Sequence, residues 1–522
     1  VGASRFVLAA VSGILASLSL PPWNLGWLAF IALVPFLWVV GRERPVPAAV
    51  LGFVHGLAFY LVTIWWVVTT MTTYGRMSWA LAGLALILLA AILAGYTALF
   101  AGLVAAWRPR NRLAGMGPIL IALLWAGLEV WRGQLFSGFP WMLLGYSQYQ
   151  QPTLRLAAAV TSVTGLSALV VLVNATLTST IEWLAHERGR QGAARSAAIA
   201  GMILAGVLAA AVGYGQWFWR DPAAGRSMRV ALLQGNIDQS LKWDRAYQAE
   251  TLDIYERLVR RAAVDRPALI VWPETAAPFF LRREPELAAR VAHLAVESGA
   301  FLLVGAPDLA EDGQLHNSAF LVAPDGQLAG RYDKRHLVPF GEYVPLRWLL
   351  FFVDKLAEGI GDFGPGGMAT VLSAGGGRFG VMICYEAIFP GEVREFAIRG
   401  AQLLVNITND AWFGRSGAAA QHLAMAAMRA VETGSYLLRA ANTGISAVVD
   451  PSGAIRPQTP LFTEAVVTAT IRLRTEDTPY LRYGDLLGRL GGLLACAGVL
   501  GALGRIGRSA WRRPAADPGS TR

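Results

Sequence analysis

Long uncharged apolar runs dominate the first 225 positions, at 6–20, 25–41, 46–66, 79–107, 113–128, 156–181 and 196–219, and none of them contains Asp, Glu, Lys or Arg. A helix needs about 20 apolar residues to cross a bilayer core of about 30 Å, so the longer runs are predicted to span outright and those at 6–20, 25–41 and 113–128 with help from their flanks. An eighth, weaker run at 483–504 has Asp485 and Arg489 near its start. After residue 226 the pattern shortens. Strands are predicted at 229–233, 268–272, 301–305, 318–323, 378–383, 403–407, 446–449 and 465–471, with helices between several of them at 244–263, 286–298, 390–399 and 418–434. Such alternation predicts an α/β layered domain. The expected architecture is a multi-pass α-helical membrane domain of seven transmembrane helices (1–225), an α/β soluble domain (226–475), an eighth transmembrane helix (483–506) and a tail (507–522).

Composition agrees with that division. Of 522 residues 55% are hydrophobic, too apolar for one soluble globule, and only five of thirty-five acidic residues (Glu43, Glu129, Glu182, Glu187, Asp221) precede residue 226. The net charge of +10 comes from arginines clustered in alternate loops: Arg42 and Arg44; Arg108, Arg110 and Arg112; Arg188, Arg190 and Arg195; Arg505, Arg508, Arg512 and Arg513. The other loops carry only Arg76, Arg132 and Arg155. Because Lys and Arg are retained on the cytoplasmic side, both termini are expected in the cytoplasm and the soluble domain on the outer face. Short juxtamembrane clusters without aromatic interleaving exclude nucleic acid as a partner. The first run lacks a small-residue cleavage site before Pro21 and Pro22, so it is expected to be retained rather than removed as a signal peptide.

Two cysteines occur, Cys384 in the soluble domain and Cys496 in the last apolar run, in compartments that cannot bridge. An unpaired thiol on the outer face suggests a working cysteine. Three clusters follow strands: Trp272-Pro273-Glu274, Tyr332-Asp333-Lys334 and Ile383-Cys384-Tyr385-Glu386. In α/β sheets reacting groups gather at the carboxyl ends of strands, so all three are expected in one crevice. A free thiol with a pKa of about 8.5 needs a base or a cation. Glu274 is the candidate base, Cys384 the nucleophile, and Lys334 with the backbone N–H after Cys384 the oxyanion donors. The six histidines show no ligand spacing and no phosphate or dinucleotide fingerprint is present, so neither metal nor cofactor is expected. His55 is expected to be a hydrogen-bonded structural residue, and Glu129 a snorkelling or ion-paired carboxylate beside Arg132.

The segments VWPE, YDKRHLVPFGEYVP, ICYE and NITNDAWFG resemble, in order, the signatures of the nitrilase or carbon–nitrogen hydrolase superfamily over about residues 226–475. The resemblance implies a nitrilase-like αββα sandwich and a Glu–Lys–Cys triad on Glu274, Lys334 and Cys384. With the apolar runs added, the whole chain is similar to the apolipoprotein N-acyltransferase family. That similarity implies a bacterial inner-membrane enzyme with a periplasmic catalytic domain. It would transfer an acyl chain from a phospholipid, through a cysteine thioester, to the α-amino group of a diacylglyceryl-cysteine on a lipoprotein. It further implies supporting roles for Trp243, Glu342, Tyr385, Glu386 and Trp412. On the residues alone, Glu342 also fits a turn cap, Tyr385 and Glu386 a structural turn, and the tryptophans core or interfacial anchors. The apolar segment PLRWLLFF at 345–352, followed by a glycine-rich stretch at 359–367, is expected to form a lipid-facing lid. The uncharged segment 133–154 is expected to be an interfacial loop facing headgroups. A membrane-tethered amidase using water as acceptor is the competing reading, and a transporter or scaffold with a decayed enzyme domain a third.

Overall fold

The computed structural model describes residues 2–107, 116–185, 198–199, 201–203, 205–206, 209–210, 213–214, 225–239, 242–345, 348 and 362–511. Most of the 196–219 run, the arginine clusters at 108–112 and 188–195, and residues 346–347 and 349–361 of the expected lid lie outside the described residues. Four described helices, Pro45–Thr63, Trp79–Ala106, Ala158–Glu182 and Leu486–Arg505, are long and apolar enough to cross a membrane, and two shorter apolar stretches, Ala3–Leu18 and Gly26–Val40, accompany them. Gly117–Arg132 is a further helix of 16 residues.

The run at 25–41 is not one continuous helix. It breaks into Gly26–Leu28, Ala29–Ala32 and Val34–Val40, with Pro35 in the first turn of the last piece, where a missing N–H is tolerated. Asn174 takes up backbone groups at the break: its Oδ1 accepts from Leu33 N (2.9 Å) and its Nδ2 donates to Ala29 O (2.8 Å). Without those bonds an open backbone in an apolar layer would cost several kcal/mol. The run at 46–66 ends as a helix at Thr63, and a second helix, Trp66–Thr73, carries the chain on to the soluble domain. There Thr70 Oγ1 donates to Trp412 O (2.9 Å) and Tyr74 OH to Ala411 O (2.6 Å).

Two sequence expectations need correction. Segment 133–154 is only partly an exposed loop: Trp141 through Tyr149 are all buried, while residues 134–137 and 150–153 are exposed. Its polar atoms are satisfied internally, as by Trp141 Nε1 on Gln421 Oε1 (2.8 Å), Gly145 N on Ser167 Oγ (2.8 Å) and Gln148 Nε2 on Gly26 O (2.9 Å). Glu129 does not snorkel and makes no ion pair among the described residues. It is buried, and its Oε1 accepts from Trp125 Nε1 and Leu144 N, each at 2.9 Å. His55 is buried and stacked on Phe36 (centroids 4.3 Å apart), the structural role expected of it.

The soluble domain has twelve strands in two six-stranded sheets. The first is ordered β12-β1-β2-β3-β4-β5, from β1 Ser227–Gln234, β2 Leu269–Val271, β3 Phe301–Leu309, β4 Leu315–Val322, β5 Leu328–Asp333 and β12 Ala465–Arg472. The second is ordered β11-β10-β9-β8-β7-β6, from β6 Val371–Ala374, β7 Gly377–Ile383, β8 Leu403–Thr408, β9 Tyr436–Ala441, β10 Ala447–Val449 and β11 Ile455–Gln458. Strands β1-β2-β3 and β7-β8-β9 run parallel. Side chains alternate between faces: Val230, Leu232, Val271 and Leu303 meet Val381, Ile383 and Val405 between the sheets. Ala231, Leu233, Ile270 and Leu302 face helices Arg245–Ala263 and Pro285–Ser298. Helices Pro390–Ile398 and Ala418–Thr433 cover the second sheet, completing a helix–sheet–sheet–helix sandwich.

Helix Ala418–Thr433 is buried almost all round because it is shared: one side packs on β9, another on the apolar helix Ala158–Ala185. Met425, Met428 and Val431 join Tyr146, Val163 and Val170 in one core that runs from the apolar helices into the sandwich. Strands β6, β9 and β11 were not predicted, and β5 was expected only as the strand leading into Lys334. The sequence of β9, Tyr-Leu-Leu-Arg-Ala-Ala, carries good helix formers, and its strand state follows from Gly434 ending the preceding helix at φ +65 and from pairing with β8 and β10.

Candidate active site

Three strand ends hold the predicted trio. Glu274 lies in the turn after β2, which is forced tight by Thr275 at φ +45. Gly305 on β3 lets that turn approach, since a Cβ there would lie 2.3 Å from Pro273 O and 2.9 Å from the Cα of Glu274. Lys334 follows β5, and its N–H donates to Asn317 O of β4 (2.8 Å). Cys384 follows β7 at φ +54, a left-handed conformation unusual for a residue with a side chain.

The polar groups are ordered around Glu274 and Lys334. Glu274 Oε1 accepts from Asn317 Nδ2 (2.8 Å) and Lys334 Nζ (3.4 Å), and Oε2 accepts from Asn409 N (2.9 Å). Lys334, 1% exposed, also donates to Glu342 Oε1 (3.0 Å). Glu342 makes the contacts of both alternative readings: its Oε1 accepts from the Lys334 ammonium and its Oε2 from Val338 N in its own turn (2.8 Å). Burial alone would lower the Lys334 pKa, but the Glu342 and Glu274 carboxylates outweigh it and hold the ammonium above its ordinary range. Burial, with the Glu274 charge beside it, pushes the Cys384 thiol up to about 12, against an opposing pull from Lys334. The surroundings thus disfavour the thiolate form of Cys384, with the Lys334 cation opposing that effect.

Glu386 is a structural tie. Its Oε1 accepts from Tyr332 OH (2.7 Å), Arg335 N (2.7 Å) and His336 N (3.2 Å), and its Oε2 from Ile383 N (2.7 Å). One carboxylate thus clamps the loop after Lys334 to the strand before Cys384. Tyr385 is buried against Phe389 and His336 (centroids 5.1 and 5.6 Å) with its hydroxyl toward Gly138 O at 3.4 Å. Trp412 is half-buried against Tyr74 (5.1 Å), at the junction with the apolar helices. Trp243 is half-buried next to Lys242.

Several functional-looking residues escaped the sequence reading. Asn317 bridges the two glutamates, donating 2.8 Å to Glu274 and 3.0 Å to Glu342. Lys242 is buried, donates to the Glu274 carbonyl (3.1 Å), and is lowered to about 8 by burial against the opposing charges of Glu274 and Cys384. Asn409 and Asp410 stand inside NITNDAWFG, so the motif carried a signal for them. Asn317 and Lys242 carried none.

A cysteine, a lysine and two glutamates at the strand ends of this sandwich make the soluble part a carbon–nitrogen hydrolase domain, and residues 229–480 match the carbon–nitrogen hydrolase family model. Residues 12–176 match the model of the apolipoprotein N-acyltransferase N-terminal domain. The chain is 45% identical over 486 residues to the apolipoprotein N-acyltransferase of Geobacter metallireducens, covering 92% of each chain. It is 38% identical to that of Nitrosomonas europaea, covering 90% of this chain and 92% of the other. An amidase from Nesterenkonia sp. of solved structure is 23% identical, with a TM-score of 0.38, covering 49% of this chain and 92% of its own. The chain belongs to the apolipoprotein N-acyltransferase family.

Proposed function

We propose that this chain N-acylates lipoproteins by two acyl transfers through Cys384. In the first, Glu274 takes the Cys384 proton as the sulfur attacks the carbonyl carbon of a phospholipid ester. The ester C–O bond breaks, and the proton passes to the oxygen of the departing lysophospholipid. In the second, the α-amino group of a diacylglyceryl-cysteine attacks the thioester carbon, Glu274 takes its proton, and the C–S bond breaks to restore the thiol. Lys334 and the Tyr385 backbone N–H hold the oxyanion in both steps. Trp243 and Trp412 border the substrate path, and Glu342, Tyr385 and Glu386 support the triad.

The reading rests on one observation: a buried carboxylate and ammonium lie 3.4 Å apart, and Glu386 ties the loop after that ammonium to the strand that ends at Cys384 in the facing sheet. Family membership supplies the acceptor class. The membrane placement is part of the same proposal: eight spans, both termini in the cytoplasm, and the catalytic domain of residues 226–475 on the periplasmic side of the inner membrane. Incubating the full-length protein with acyl-labelled phospholipid and no acceptor is expected to yield an adduct that disappears in Cys384→Ala. An unlabelled wild-type protein, or release of ammonia from small amides without phospholipid consumption, would reject it.

A further inference from the structure

A left-handed backbone at a residue with a side chain persists only where its surroundings over-determine it, and the Cys384 carbonyl has two such restraints. It accepts from His422 Nε2 at 3.1 Å and Asn406 Nδ2 at 3.4 Å. Both donors are ambivalent in principle, because an imidazole can carry its proton on either nitrogen and an amide can turn over. Arg439 removes the ambiguity. One of its nitrogens lies 3.1 Å from His422 Nδ1, and another bonds Asn406 Oδ1. A guanidinium only donates. Toward Arg439, His422 Nδ1 can only offer a lone pair, and the Cys384 carbonyl, which only accepts, calls for the ring proton on Nε2. By the same logic Asn406 gives its oxygen to Arg439 and turns its NH2 to Met382 O (3.1 Å) and Cys384 O.

We propose that Arg439 is a positioning residue for the nucleophile, fixing His422 and Asn406 as donors to the Cys384 carbonyl and so holding the turn that presents the thiol. The inference rests on the reading of Cys384 as nucleophile. Asp410 balances the guanidinium, accepting from it at 2.6 Å, and its other oxygen accepts from Thr408 Oγ1 at 3.0 Å. Asn406, Thr408, Asp410, His422 and Arg439 are all buried. Asp410 Oδ1 also lies 3.1 Å from His422 Nδ1, a contact that favours a second ring proton. Burial and the Arg439 charge oppose it and hold the imidazole below its ordinary range, so the ring stays neutral.

Two measurements on the full chain test this. Nitrogen-15 spectra, with the His422 signals assigned by their loss in His422→Phe, are expected to show a protonated Nε2 and a bare Nδ1 at neutral pH. A doubly protonated ring, or a proton on Nδ1 alone, would overturn the proposal. In acyl transfer, His422→Phe is expected to lower kcat about tenfold or more, the scale of one lost hydrogen bond, with KM nearly unchanged. His422→Gln, which keeps a donor, should recover most of it. A His422→Phe enzyme with wild-type kcat, or a His422→Gln no better than His422→Phe, would refute the positioning role while an inactive Cys384→Ala left the triad standing. An active Cys384→Ala would instead overturn the triad reading itself.

Discussion

A single methyl group at Gly305 tests whether the site works by fixed geometry. The turn bearing Glu274 passes so close to β3 that an added Cβ would meet Pro273 O at 2.3 Å, Thr275 N at 2.7 Å and the Glu274 Cα at 2.9 Å. All three are backbone atoms that cannot rotate away, so the turn has to retreat by about 1 Å, at an overpacking cost of about 1–3 kcal/mol. Glu274 is held by contacts of 2.8, 3.4 and 2.9 Å to Asn317, Lys334 and Asn409, and such a retreat breaks or lengthens each. Misplacement of a reacting group by about 1 Å costs on the order of a hundredfold in rate. Gly305→Ala is accordingly expected to lose about a hundredfold in kcat with little change in KM. Gly330→Ala is the control: its Cβ meets only the end of the Leu372 side chain, at 2.8 Å, which can rotate aside. The assay is steady-state acyl transfer on folded protein, with formation of the labelled Cys384 adduct measured separately. A Gly305→Ala enzyme within about threefold of wild type would refute the claim that Glu274 must sit where β3 puts it.

The state of the thiol gives a second prediction with a definite sign. Since the Glu274 charge raises the Cys384 pKa, Glu274→Gln in a Cys496→Ala background should move the alkaline plateau of iodoacetamide reactivity to lower pH while abolishing turnover; an upward or unchanged plateau would contradict the electrostatics. Glu386→Gln puts an amide donor against one of four N–H or O–H groups, leaving a buried donor unpaired at about 1–3 kcal/mol; thermal unfolding should fall, and kcat should drop more than KM rises as the Lys334 loop loosens. Asp410→Asn leaves Arg439 buried without its counter-ion, a loss of about 3–5 kcal/mol readable by denaturant unfolding. Burial works against the Asp410 carboxylate, but the Arg439 guanidinium outweighs it and depresses its pKa. Its stabilisation is thus present above the unfolded carboxylate value and disappears only as pH falls through the lower folded value, so unfolding midpoints at pH 5 and pH 7 should show no loss from this group.

What could be read along the chain and what could not divide by the range of the forces involved. Apolar runs and strand alternation are local, and they located most of the described helices and eight of the twelve described strands; Glu274, Lys334 and Cys384 could be picked out as candidates because each stands beside a strand end inside a distinctive segment. The break at Leu33 was not, because the groups that stabilise it belong to Asn174, 141 positions away. The burial of Trp141–Tyr149 was equally hidden: the uncharged polar residues look suited to headgroups, and the groups that turn them inward, on Gln421, Glu129, Ser167 and Gly26, are distant in sequence. His422 and Arg439 are the sharpest case. On a helix reading Ala-Ala-Ala-Gln-His-Leu-Ala-Met a lone histidine is unremarkable, and Arg439 sits in a strand that resembles a helix. Each is a buried polar group whose desolvation must be offset by partners, and those partners come from β7, β8 and the turn after β8, none adjacent in sequence. The residues that set the chemistry were therefore visible as motifs, whereas those that set its geometry emerge only when three strand ends and one helix are brought together.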